Sequence, residues 1–314
     1  VNLLLGMFIY SMTLFFYGDK YLPNENLGDG VWCVSEMASE LGFENGDKFI
    51  AADGEPIERF SEVLEKIILS ETITVERKGL SVDIEMPLDV IEKFLDNKNQ
   101  LLFYPRIPAM VSAVTENSNA EKAGLQQKDL LVQINDVNIK YFDQLSYELN
   151  KLKDQEITLV VNRDGKDFLI KANVDSNGKL GFMPANFSIE HLEYLGYYNL
   201  QKASFGFLES FPAGYKKALK KLNSYIDQFA LILNPDSGAY KGMGGFGAIG
   251  SMFPASWDWE RFWNLTAFLS LMLAFMNILP IPALVGGHVV FLVYEMFIGK
   301  LVPEKLMELS LIHT

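Results

Sequence analysis

The sequence predicts an α+β multidomain membrane protein in which apolar helices flank two small, partly open β-barrels, each with capping helices. Three observations carry that expectation. Residues 1–18, VNLLLGMFIYSMTLFFYG, hold no charged side chain. Residues 38–79 and 120–165 are two copies of one pattern. From Phe262 to Leu284 only Asn264, Thr266, Ser270 and Asn277 are polar.

The first segment sits at the lower limit of length for a helix crossing a hydrocarbon core. It has no basic n-region and no small-residue cleavage site, so it does not read as a signal peptide. The expectation is a transmembrane helix over 1–18, the second half of a membrane hairpin that begins upstream. The net charge of -13 excludes nucleic acid as a partner, because phosphate binding needs a basic face. A lone Cys33 excludes an internal disulfide and any CxxC motif and reads as a small buried residue.

In the repeat, ASELGFENGDKFIAADGEPIERFSEVLEKI aligns with AEKAGLQQKDLLVQINDVNIKYFDQLSYEL at a constant offset of 82, pairing Gly42 with Gly124 and Asp47 with Asp129. After a four-residue insertion TVERKG matches VVNRDG. Each copy reads as a short helix ended by glycine, a polar turn and a short apolar strand. An amphipathic helix follows, with Phe60, Val63, Leu64, Ile67 and Ile68 on one face in the first copy and Phe142, Leu145 and Leu149 in the second. A hairpin closes each copy, around Lys78-Gly79 and Asp164-Gly165.

Those residues resemble PDZ domains of the circularly permuted type found in bacterial proteases, over 28–90 and 104–184. The resemblance implies binding of peptide C-termini as an added strand on a sheet edge. A spacer or steric filter is the alternative role.

Residues 203–233 predict an amphipathic interfacial helix. Tyr215, Ala218, Leu219, Leu222, Tyr225, Ile226 and Phe229 recur at helical spacing beside Lys216, Lys217, Lys220 and Lys221, a pattern suited to membrane lipids or to an ordinary helix packed on a domain. GGFGAIG over 244–250 contains a formal GxGxxG, but neither strand nor βαβ unit surrounds it. A tight turn or buried re-entrant backbone is the expectation there. Trp257, Trp259 and Trp263 mark where the chain enters the bilayer. The membrane segment is expected over 262–298, with 299–314 a truncated C-terminal segment.

Within it stands NILPIPALVGGH, Asn277 to His288. Following a tandem PDZ-like pair, this motif resembles the site-2 protease family, specifically the regulator of sigma-E protease, whose pattern is NxxPxPxLDGGH. The resemblance implies an intramembrane zinc metalloendopeptidase that cuts membrane-spanning substrates such as anti-sigma factors. It implies a multi-pass protein of the cell inner membrane, with the PDZ-like pair on the periplasmic side. In that family an HExxH helix supplies two zinc-bound histidines and a glutamate base, and the aspartate of LDGG is the third ligand. Zinc with three protein ligands and one open position activates water at neutral pH. By resemblance Asn277, Pro280 and Pro282 shape the contact with substrate, and Gly286 and Gly287 allow its close approach.

The departures lie at the metal. Val285 stands at the aspartate position and cannot bind an ion. HExxH is absent: His191, His288 and His313 are the histidines, and none has another four residues away. The HExxH helix is expected upstream of Val1, and His288 reads as structural. The expectation is therefore a chain that does not bind zinc and is catalytically inactive as it stands. A membrane-tethered tandem peptide-binding protein without catalysis is the alternative. A serine protease is disfavoured because no GxSxG or comparable nucleophile setting occurs.

Overall fold

A computed structural model describes residues 1–97, 101–242, 244, 250, 252–253, 256–279 and 296. The chain divides into two compact units, Tyr21–Gln201 and a helical unit formed by the residues on either side of it. Helix α1 (Asn2–Tyr17) and strand β1 (Asp19–Tyr21) come first. The first repeat runs β2 (Val31–Cys33), α2 (Glu36–Glu40), β3 (Lys48–Ala52), β4 (Glu55–Pro56), α3 (Val63–Leu69), β5 (Thr72–Arg77) and β6 (Leu80–Glu85), followed by α4 (Val90–Asp96) and β7 (Phe103–Pro105). The second runs β8 (Val111–Val114), α5 (Asn119–Lys122), β9 (Leu130–Ile134), β10 (Val137–Asn138), α6 (Phe142–Lys151), β11 (Glu156–Arg163), β12 (Lys166–Asn173) and β13 (Phe182–Pro184). Helix α7 (Ile189–Tyr194), β14 (Gln201–Ala203), α8 (Phe207–Leu233) and α9 (Trp259–Met276) complete the elements.

The sequence repeat is a structural repeat. Each copy holds a four-stranded antiparallel sheet of the same order, β4-β3-β5-β6 and β10-β9-β11-β12. Both carry a register shift in the central pair, at Phe49/Ala51 and at Val160/Val161. The closing hairpins turn on Lys78-Gly79 (φ 52 and 81) and Asp164-Gly165 (φ 51 and 79). Two successive positive φ values define the type I′ turn, whose twist matches that of the strands it joins. Short helices α2 and α5 start on Ser35 and Ser118, whose hydroxyls accept from backbone amides three residues on, the usual N-cap arrangement.

The copies keep separate apolar cores. Ile67, Ile73, Val75, Phe43 and Phe103 lie in the first, and Leu131, Leu145, Leu159 and Val161 in the second. A further two-stranded pairing completes each copy with a strand from later in the chain: β7 pairs with β2, and β13 with β8. Phe103 of β7 is buried in the first core. After the second repeat the chain returns to that first core, where Phe187, Leu192 and Tyr198 are buried.

In the helical unit α1, α8 and α9 share a core of Ile9, Tyr10, Ala218, Tyr225, Ala267 and Leu271. Small residues set the contacts: a Cβ on Gly214 would meet Ser11 at 2.2 Å, and one on Gly6 would meet Leu271 at 2.8 Å. Helix α8 follows the expected amphipathic segment, but only part of its apolar stripe is covered. Ala218 and Tyr225 are buried, whereas Tyr215, Leu219 and Ile226 remain exposed beside Lys216 and Lys220. Among the described residues no helix is long and apolar enough to cross a membrane. The segment expected to span over 1–18 is a helix of 16 residues that stops at Gly18 (φ 73). The segment expected over 262–298 is described over 262–279 and at 296, while all of 299–314 and most of GGFGAIG fall outside the described residues.

Candidate functional site

Of the residues singled out by the NILPIPALVGGH motif, Asn277 is described. It caps the C-terminus of α9, half-buried, with helical backbone angles and its amide donating to the Leu273 carbonyl at 3.0 Å. The helix therefore ends where the motif begins, as the two prolines that follow would require. Pro280, Pro282, Val285, Gly286, Gly287 and His288 lie outside the described residues.

Zinc, implied by resemblance, is not fitted by the described side chains. Among them no three His, Cys, Asp or Glu are placed to share an ion. His191, the one described histidine, sits with its ring centroid 5.4 Å from that of Phe187 and 6.4 Å from that of Tyr194.

The repeats present strand edges. β7 and β13 each pair on one side only, and among the described residues no strand covers the other side. Both read Phe-x-Pro, Phe103-Tyr104-Pro105 and Phe182-Met183-Pro184. Proline lacks an amide donor and is tolerated at such edges. At β13 the strand is entered through Gly181 (φ 90), where a Cβ would lie 2.3 Å from Ser118 Cβ, so only glycine fits. Helix α6 flanks that strand: the rings of Phe142 and Phe182 lie 6.3 Å apart, edge to face.

Each repeat is also pinned by one buried ion pair that spacing alone did not single out. In the first copy Arg77 donates from Nε to Asp47 Oδ1 and from Nη2 to Oδ2, both at 2.7 Å, and from Nη2 to the Gly42 carbonyl at 2.8 Å. In the second, Arg163 does the same with Asp129, at 2.7 Å twice, and with the Gly124 carbonyl at 3.0 Å. Both aspartates are fully buried. The carboxylate beside it raises the Arg77 pKa further. The signal was present in TVERKG and VVNRDG, where the arginine is common to both copies. A forked, two-bond pair of this kind fixes geometry as well as charge.

A polar cavity of about 430 Å³ lies next to the first of these pairs, bounded among others by Asp29, Lys48, Arg77, Arg106 and Lys140. Its charges are largely matched internally: Lys48 pairs with Glu76, Arg77 with Glu44 and Asp47, and Lys140 with Asp29.

The whole of this arrangement, from α1 through both repeats to the motif after α9, matches Peptidase family M50 over residues 1–313. The chain belongs to peptidase family M50. The site-2 protease resemblance carried by NILPIPALVGGH is thereby borne out. Relatives of this M50 chain include three proteins that each carry the name "Putative zinc metalloprotease". One from Staphylococcus aureus (strain N315) is 31% identical over 224 residues, covering 65% of this chain and 48% of the relative. One from Rickettsia conorii is 28% identical over 213 residues, covering 63% and 56%. One from Vibrio cholerae is 27% identical over 214 residues, covering 66% and 47%. The M50 chain thus spans about half the length of the relatives it matches. A solved HtrA-type protease with a decapeptide is similar over 37% of the chain and 42% of its own length at 16% identity, with a TM-score of 0.19, too low to bear on the fold.

Proposed function

We propose that this chain is the tandem-PDZ-bearing part of an intramembrane zinc metalloendopeptidase of the regulator of sigma-E protease type, acting in regulated proteolysis of membrane-spanning substrates such as anti-sigma factors. The observation that carries the reading is the M50 match, which runs through both repeats and through NILPIPALVGGH. In this reading the helices α1, α8 and α9 seat the protein in the cell inner membrane, in contact with lipid through the exposed apolar side of α8. The two repeats stand on the periplasmic side as permuted PDZ domains and take extended peptide C-termini along β7 or β13. Asn277, Pro280 and Pro282 shape the substrate backbone, with Gly286 and Gly287 at closest approach.

The chain itself is proposed to be inactive. Val285 offers no donor where the resemblance implies a carboxylate, and HExxH does not occur in the sequence. Two measurements test the reading. Purified chain in detergent, dialysed against zinc and analysed for metal content, should hold well under one equivalent; tight stoichiometric zinc refutes the missing site. Titration with peptides carrying a free, apolar C-terminus should saturate below millimolar concentration; no binding at millimolar concentration refutes peptide capture.

A second reading is favoured by the same Val285: a non-catalytic, membrane-tethered tandem peptide-binding protein. Restoring Val285→Asp within a longer chain that carries an HExxH helix separates the two, since only a latent protease gains cleavage of a membrane-spanning substrate.

A further inference from the structure

The two repeats have separate cores, yet they meet at one polar node. Asp29, just before β2, belongs to the first repeat. Lys140, Tyr141 and Asp143 form the start of α6 in the second, and Arg106 lies in the link between them. The Asp29 carboxylate accepts from Tyr141 Oη at 2.7 Å and from Lys140 Nζ at 2.6 Å. Its backbone carbonyl accepts from Arg106 Nη1 at 3.1 Å. Arg106 also donates to Asp143, Nε to Oδ1 at 3.0 Å and Nη2 to Oδ2 at 2.5 Å. The guanidinium lies 4.7 Å from the Tyr141 ring centroid, and the Arg106 carbonyl accepts from Tyr198 Oη at 2.8 Å.

Burial ranks these contacts. Arg106, Tyr141, Asp143 and Tyr198 are all buried, whereas the Asp29 and Lys140 side chains are 47% and 63% exposed. The exposed ion pair contributes little by itself; the buried guanidinium and phenol hold the node. One residue further on, Phe142 links the node to a strand edge. Its ring lies 5.6 Å from that of Trp32 in β2 of the first repeat and 6.3 Å from that of Phe182 in β13. Its amide donates to the Ile107 carbonyl in the link at 2.8 Å.

We infer that Asp29 and Arg106 are positioning residues for peptide recognition by the second repeat. They fix the start of α6 against the first repeat, and through Phe142 they set the space beside the free edge of β13. The first repeat thereby sets the affinity of the second. The inference rests on the peptide-binding reading above. A site that is competent only while the node is closed binds with an affinity reduced by the closed fraction.

The test uses the full chain in detergent, with Asp29→Asn, which keeps shape and removes the carboxylate charge, and Tyr141→Phe, which removes the hydroxyl donor. Arg106 is left in place because losing it strands the buried Asp143. Fluorescein-labelled octapeptides ending in free Val, Leu or Phe are titrated against each protein. In parallel, nitroxide pairs at Ser81→Cys and Lys166→Cys, on a Cys33→Ser background, report the distance between repeats. Expected is a narrow distance distribution that broadens in both variants, with affinity for the best peptide falling in proportion to the closed fraction that the distribution reports. Lys151→Ala, which removes an exposed pair with Glu148 at the far end of α6, should change neither readout. Equal affinities and equal distributions in all variants overturn the inference alone. Failure of all three peptides to bind the parent chain overturns the peptide reading, and the inference with it.

Discussion

Replacing Arg77 by methionine removes every side-chain donor from Asp47. The carboxylate is fully buried and keeps only the Glu44 amide, at 2.8 Å. Breaking a buried ion pair by deleting one partner costs about 3–5 kcal/mol, because the other charge is left without compensation. The Arg77 side chain is 20% exposed, so water reaches part of the vacated space and the low end applies, about 3 kcal/mol. For a unit of this size that corresponds to a fall in Tm of roughly 6–12 °C. The assay is hydrogen exchange of peptides from β3 and β5, read together with calorimetry. The penalty comes from a stranded charge, so Asp47→Asn combined with Arg77→Met should be less damaging than Arg77→Met alone. A loss below about 1 kcal/mol, or a double variant worse than the single one, would refute the reasoning. Arg163→Met should act in the same direction on the second repeat, with exchange rising first in β9 and β11.

Three further outcomes follow from the geometry. Burial, with help from the charge of Asp47, pushes the Cys33 thiol up to about 12; at pH 8 its thiolate fraction is then on the order of 10⁻⁴, and Ellman's reagent should react on the order of 10³-fold more slowly than with the unfolded chain. Gly30→Ala should be clearly worse than Gly54→Ala although both have φ near +80. A Cβ on Gly30 would lie 2.2 Å from the Gly46 carbonyl oxygen while one on Gly54 meets nothing, so thermal unfolding should show a loss above about 1 kcal/mol for Gly54 and larger for Gly30. Hydrogen bonds from Lys140 and Tyr141 hold the Asp29 carboxyl below its usual range. Its contribution to the node is therefore full above the unfolded value near 4 and is lost as pH falls through the depressed folded value. The spin-label distance should broaden below about pH 4 in the parent chain and show no such step in Asp29→Asn.

Sequence alone determined the periodic parts of this protein. The constant offset between the copies, the glycines after α2 and α5, and the Lys-Gly and Asp-Gly turns each impose a local backbone conformation, and local rules of that kind act over a few residues. NILPIPALVGGH placed the chain in its family because prolines and glycines at fixed spacing after an apolar helix are rare. Contacts between residues far apart in the chain were decided by tertiary structure. Nothing in the spacing of Asp29, Arg106 and Asp143 announces that they meet, and β7 follows α4 in sequence yet pairs with β2. The return of Phe187, Leu192 and Tyr198 to the first core is equally silent in the pattern, since an apolar residue declares that it will be buried but not against what. Helix α1 reads as a membrane span by composition, and its C-terminal end was set by where Gly18 turns the chain into β1. Burial is a property of composition, whereas partnership is a property of the folded chain, because only close packing decides which buried donor finds which acceptor.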